Sequence, residues 1–244
     1  MDATHTTFLN GLARELEQHP VNCNPFFEAF RDRHLSDLQL RTFLGQYQYF
    51  CKHFVKLLEM LLYRTPLEQL EMRIELLKTL YSELGAGRIE KAHIRLLDRF
   101  ARAAGLSEAQ LEQTTPIPEV ATYLLVLRRL FGEADYLTAL GAELAVEMTA
   151  ASEFRYFYPG LVKYQRFQED ELEFFKLHLQ EEQDHSNWLL AAVQKTAHSA
   201  QDEQQVAAGA RQTAAAWGIF WDGMYRTVFE DAASRREQAA SEAG

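Results

Sequence analysis

The sequence predicts an all-α protein folded as a single helical bundle, and three observations predict it. Apolar residues recur at helical spacing in nearly every segment between turn signals. No stretch alternates as a half-buried strand does, and no linker is long enough to separate two cores. The 244 residues, 47% of them hydrophobic, suffice for one large core.

Taken in order, residues 6–19 place Phe8, Leu9, Leu12 and Leu16 on one helical face, and Pro20 ends that helix. A short helix fits 25–34, with Pro25 in its first turn. Ser36-Asp37-Leu38-Gln39 reads as a capping box that opens a long helix to about Arg64. Its inner side carries Leu40, Leu44, Tyr47, Cys51, Phe54, Leu58 and Leu61. A further helix is expected over 66–84, a break at Gly85-Ala86-Gly87, and another helix over 89–104. Ser107 caps a short helix, Thr114-Thr115-Pro116-Ile117-Pro118 is a linker, and 119–130 is helical by pattern. A long helix is expected over 133–158, closed by Pro159-Gly160, then helices over 168–198 and 202–230. In the last, Trp217, Phe220, Trp221, Met224, Tyr225 and Val228 form an aromatic stripe of the kind that packs a core. Residues 1–230 are thus expected to form one domain, and 231–244, small and charged, a disordered tail.

The bulk charge narrows the function. Thirty-five acidic residues against 25 basic ones give a formal charge of −10, which opposes binding to nucleic acid or to an anionic membrane surface. The N-terminal residues have neither a basic region nor an apolar run, and no apolar stretch approaches the ~20 residues of a membrane span. Cys23 and Cys51 are too few for a disulfide framework and are expected as buried thiols in a reducing cytosol. A cytoplasmic enzyme or binding protein of small molecules is the expectation.

The most informative stretch runs from Phe174 to His185. On an α-helix His178, Glu182 and His185 lie at 0°, about 40° and about −20°, a narrow strip of two imidazoles and a carboxylate. Such a set suits iron, zinc or manganese, provided other helices supply partners. Glu147 sits in a run of small and apolar residues, with Glu143 one turn away as the competing choice; one of the two is expected to face water. Glu83 and His93 flank the glycine break, which can re-aim two residues that a straight helix would set about 80° apart. Glu90 and His93 form a tighter local pair, so Glu90 is the alternative to Glu83. Glu59 is a further carboxylate among apolar neighbours on the long third helix.

Two templates can hold these residues. A ferritin-like arrangement, Glu, Glu-x-x-His, Glu, Glu-x-x-His, would use Glu59, Glu90 with His93, Glu147, and Glu182 with His185. It leaves His178 without a role. The second is a resemblance over about residues 24–230 to the haem-oxygenase-like di-iron oxidases and oxygenases, relatives of thiaminase II and of the pyrroloquinoline quinone synthase fold. It is carried by Glu83-Leu84-Gly85-x-Gly87 with His93 following, by Ala145-Val146-Glu147, and most specifically by His178-x-x-x-Glu182-x-x-His185. The family usually has aspartate where this chain has Glu182.

The resemblance implies a single-domain haem-oxygenase-like bundle with Fe(II), two per chain, and O2 as co-substrate. It implies Glu83, His93, Glu147, His178, Glu182 and His185 as ligands, with Glu59 a possible extra one. Proteins of this kind carry out amine N-oxygenation or oxidative C–C cleavage of amino acids and fatty acids, and bundles of this fold are commonly homodimers. Phe26, Phe27, Tyr47, Tyr49, Phe50, Phe54, Tyr123 and Tyr156 are candidates for the substrate wall, and Arg155 and Lys163 for a substrate carboxylate. One branch makes p-aminobenzoate from its own tyrosine; the matching position here is Phe27, which counts against that chemistry. The alternatives are a metal-free thiaminase-like hydrolase, for which Cys51 is the one inward thiol, a cofactorless oxidase, and a ferritin-like iron binder.

Overall fold

Serine capping boxes start three of the helices. Ser36 with Gln39 opens α3 (Asp37–Arg64), Ser107 with Gln110 opens α6 (Glu108–Glu112), and Ser199 with Asp202 opens α10 (Ala200–Tyr225). In each, the serine hydroxyl accepts from the third backbone N–H while that residue's side chain accepts from the serine N–H. The remaining helices are α1 (Ala3–Glu17), α2 (Pro25–Asp32), α4 (Leu70–Glu83), α5 (His93–Ala103), α7 (Pro118–Gly132), α8 (Tyr136–Val162) and α9 (Glu173–Thr196). Short 3-10 turns cover Pro20–Cys23 and Ile89–Lys91, and a π turn, Arg226–Glu230, extends α10. The structure, a computed structural model, describes residues 3–231, with the side chains of 3–7 and 180–186 outside that description. Among the described residues there is no strand, as the sequence predicts. The predicted tail lies outside them, apart from Asp231.

Helix α8 is the axis of the bundle. From Ala139 to Glu147 every residue is buried, so the helix has no solvent face there, and it packs against α10, α9, α2 and α7. Against α10 the backbones touch. A Cβ on Gly141 would stand 1.9 Å from the Val206 carbonyl oxygen, and one on Gly209 would stand 1.9 Å from that of Thr138. Around this axis lies an aromatic core in which Phe26, Phe43, Phe157 and Trp221 meet at centroid distances of 4.9–6.3 Å.

Several features differ from the sequence reading. Helix α8 runs through Pro159 instead of stopping there. The proline forfeits one backbone bond, but Gly160 lies flat against Phe30 and Arg31, and Lys163 donates to the carbonyls of Phe30, Arg31 and Arg33 at the end of α2. Tertiary contacts thus hold the last turn, and Lys163 is a cap for α2, not a ligand for substrate. Helix α4 begins at Leu70, four residues after Pro66, where Arg73 reaches the Leu62 and Thr65 carbonyls at the end of α3. Cys23, expected to be buried, is exposed at the end of a 3-10 turn, whereas Cys51 is half-buried on α3.

The α8–α10 backbone contact makes a sharp prediction. Gly141→Ala is expected to lose about 1–3 kcal/mol or more in urea unfolding, because the new methyl meets a carbonyl that cannot move alone. Gly11→Ala, on α1 with nothing near its Cβ, is expected to gain about 0.5–1 kcal/mol. Equal effects at the two positions would show that the close contact is not what holds the helices.

Candidate metal centre

The break after α4 assembles the first part of the site. Gly85, Ala86 and Gly87 all take positive φ, at 75°, 52° and 83°. At Gly85 a Cβ would meet the Arg88 oxygen and the Ala92 nitrogen at 2.4 Å, so only glycine fits. Backbone bonds from Gly85 to Ser82 and from Ala86 to Tyr81 close the turn, and the Tyr81 hydroxyl donates to the Ala86 carbonyl at 2.8 Å. The chain reverses, and Glu83, the last residue of α4, faces His93, the first of α5. Glu83 Oε1 and His93 Nδ1 lie 3.1 Å apart.

Helix α9 supplies the third group. Its start is tied to this corner through Glu173, which pairs with Lys91 and, at 3.3 Å, with Arg99. One turn on, His178 stacks on Phe154 at 4.5 Å and leans against Phe174 at 4.2 Å. Its Nδ1 lies 2.7 Å from the Phe174 carbonyl oxygen, so that nitrogen carries the proton and donates, leaving the Nε2 lone pair for a cation. The His93 and His178 rings are 4.6 Å apart. Glu83, His93 and His178 each offer one ligand atom, and these lie within 4.8 Å of one another. Two ligand atoms bound at right angles to one ion at ~2.1 Å would be about 3 Å apart, the spacing Glu83 and His93 already have.

Helix α8 forms the opposite wall. Glu147 is buried and lines the same cavity. Glu143, one turn back, is also fully buried, so the expectation that one of the two faces water is not met. Burial raises the Glu143 carboxyl well above the ordinary range, and the neighbouring Glu147 and Glu83 raise it further, so it keeps a proton. Glu153, absent from the sequence-derived candidates, completes the wall. Its Oε1 accepts from the Tyr47 hydroxyl at 2.7 Å, and it is buried beside the cavity. Its signal in the sequence is a third carboxylate on a helix rich in Ala, Leu and Phe.

The cavity holds about 50 Å³, between α3, α4, α5, α7, α8, α9 and α10. Of the predicted aromatic wall, Tyr47, Phe50, Phe54 and Tyr123 line it, as do Cys51 and, from the α10 stripe, Trp217. Phe27 stacks on Tyr156 at 5.6 Å, and Phe26 packs on Trp221 at 4.9 Å, both within the core. Tyr49 stacks on His53. Burial raises the Tyr123 hydroxyl strongly, with Glu153, Glu143 and Glu147 adding to it, so this phenol stays neutral.

Other candidates are not brought in. Glu59 is exposed on α3, and Glu90 is exposed on a 3-10 turn. The i, i+3 argument for Glu90 fails because Ala92 is extended between it and the first residue of α5. Glu59 and Glu90 are the residues the ferritin-like arrangement needs inside, so that template does not fit. Arg155 is exposed. Glu182 and His185 lie on α9, whose backbone is helical throughout, but outside the residues whose side chains are described. No helix among the described residues is long and apolar enough to cross a membrane.

Known proteins share this architecture and sequence. The chain is 27% identical over 237 residues to a 4-aminobenzoate synthase of Nitrosomonas europaea, covering 94% of this chain and 93% of that one. It is 23% identical to a 4-chloro-allylglycine synthase of Streptantibioticus cattleyicolor, covering 91% and 84%. Among solved structures it is similar to a CADD-like protein of unknown function from Nostoc punctiforme, with a TM-score of 0.79, 21% identity, and 94% and 100% of the two chains covered. It is also similar to a domain with a haem-oxygenase-like fold from Shewanella denitrificans, with a TM-score of 0.69, 14% identity, and 93% of each chain covered. The fold is therefore the single-domain haem-oxygenase-like bundle that the sequence predicts. Residues 41–218, the span that carries Glu83, His93, Glu147 and His178, match the family of iron-containing redox enzymes, and the chain belongs to that family.

Proposed function

We propose that this protein is a non-haem di-iron oxidase or oxygenase that uses O2 to oxidise a small metabolite. The observation that carries the reading is the convergence of Glu83, His93 and His178 from three helices on one aromatic-walled cavity, with the buried Glu147 on its far side. Oxygen and imidazole donors in this proportion suit iron. On this reading Glu83, His93, Glu147, His178, Glu182 and His185 hold two Fe(II) ions per chain. Iron supplies the electrons and the Lewis acidity that O2 activation needs.

The chain's own groups do the rest. The Phe174 carbonyl and the Phe154 ring fix the His178 imidazole in one tautomer and orientation. Glu143, kept protonated one turn behind Glu147, adds no second negative charge beside it. Tyr47 and Glu153 form a hydrogen-bonded pair on the wall, able to hold or pass a proton beside the substrate. Phe50, Phe54, Phe154 and Trp217 keep the cavity dry. A cavity of about 50 Å³ takes a small molecule and no polymer. Two relatives are named for products that join an amine to a carboxylic acid, so the substrate is of that class: a small amino acid or amine. With Phe27 sealed in the core, Tyr47 and Tyr123 are the tyrosines that face the site. The reading includes a cytoplasmic homodimer.

Anaerobic Fe(II) titration is expected to saturate at about two irons per chain, and admission of air to give a transient visible absorption. His178→Ala is expected to lose at least one iron and the transient; full uptake by that variant would sink the assignment. Incubation of the loaded protein with panels of amino acids, amines and fatty acids, read by mass spectrometry, tests the substrate class.

Glu153 makes a second, pH-dependent prediction. Burial raises its carboxyl well above the ordinary 4.5, against the smaller opposing effect of the Tyr47 hydroxyl. A group held protonated more firmly in the folded state stabilises it fully only below the ordinary value; that contribution is lost as pH rises through the folded-state value. Glu153→Gln keeps the Tyr47 bond and cannot ionise. Its stability advantage over the wild type is therefore expected to be nil at about pH 4 and to widen towards about pH 8 in urea unfolding. A gap that is constant with pH would show that Glu153 is not a raised carboxyl.

A further inference from the structure

Helix α4 has two faces with opposite fates. Met72, Leu76, Thr79 and Leu80 are buried against the bundle. Outward, Leu70, Ile74, Leu77, Tyr81 and Leu84 are each 50–65% exposed. Their spacing of four, three, four and three residues is the seam of a coiled coil. One exposed leucine needs no explanation, but an unbroken seam of five large apolar side chains does. They leave on the order of 500 Å² of apolar surface open, and Leu67 and Ile89, exposed just before and after, bring it near the ~800 Å² each partner gives to a standard interface. Residues 232–244 contain only Ala, Ser, Arg, Glu, Gln and Gly, so they bring no large apolar side chain to match this seam.

We propose that α4 is the contact through which two copies of this chain associate, their α4 helices lying antiparallel about a twofold axis. This rests on the homodimer reading above and gives that dimer its surface. A seam of this spacing is its own complement, since Leu70 and Leu77 of one copy meet Tyr81 and Ile74 of the other, and the converse pairs follow by symmetry. The flanking charges choose the direction. Glu71 and Lys78 hold the same flanking position one heptad apart, so antiparallel packing sets each Glu71 beside the partner's Lys78, twice per dimer. Parallel packing would give Lys78 no opposite charge, because the residue it would meet is Arg73, which donates to the Leu62 and Thr65 carbonyls of its own chain. Within one chain Glu71 already meets Lys195 at 2.9 Å and Lys78 meets Glu75 at 2.8 Å, so the pairs between copies fix orientation more than affinity.

Light scattering of the full chain is expected to give a dimer, and Leu77→Glu or Ile74→Glu a monomer with unchanged helical circular dichroism. Lys78→Glu is expected to weaken the dimer about tenfold, and the double variant Glu71→Lys with Lys78→Glu to restore it. A monomeric wild type would overturn this proposal and the homodimer reading together. A dimer that survives both glutamate variants would keep the homodimer and overturn the α4 surface, and a tighter dimer on Lys78→Glu would overturn the antiparallel arrangement. Should a glutamate variant lose helicity, the charge series decides.

Discussion

Carboxylates buried on α8 set the terms for the rest of this structure. An ionised carboxylate moved out of water costs several kcal/mol unless a cation or hydrogen-bond donors replace the water. Helix α8 carries three such groups, Glu143, Glu147 and Glu153, all buried. The helix could not keep them for stability alone. Glu153 is met by the Tyr47 hydroxyl, Glu143 keeps its proton, and Glu147 lines the cavity that Glu83, His93 and His178 also line. An iron cation bound among Glu83, His93 and His178 would offset the remaining negative charge in the way carboxylate-rich sites require. The cost of burial and the capacity for metal are thus the same property of the same residues.

Much of this was legible beforehand because helical periodicity and ligand spacing are local properties. The capping boxes at Ser36 and Ser107, the glycine break and the buried side of α3 all follow from neighbours within one or two turns. What escaped depends on distant contacts. Pro159 looks like a stop until Gly160 and Lys163 are seen clamped to the end of α2. Glu90 stays a reserve for Glu83 until the turn sets Ala92 between it and α5 and leaves Glu90 in solvent. Glu153 lies off the Glu147 face of the helix, and only the position of Tyr47, 106 residues earlier, shows that it belongs to the cavity wall.

The same helix joins the two outermost parts of the proposal. Helix α4 presents Leu70, Ile74, Leu77 and Tyr81 outward and ends in Glu83, whose carboxylate faces inward to His93. Between these roles lies the turn of three positive-φ residues, braced by Tyr81, a residue that also belongs to the outward seam. A partner packed on that seam would restrain Tyr81, and through its hydroxyl the Ala86 carbonyl and the turn. Positions of metal ligands are worth tenths of an ångström, and a ligand at a helix C-terminus is held only as well as the turn that follows it. Dimerisation through α4 would therefore bear on the geometry of Glu83 without any residue of one copy entering the site of the other.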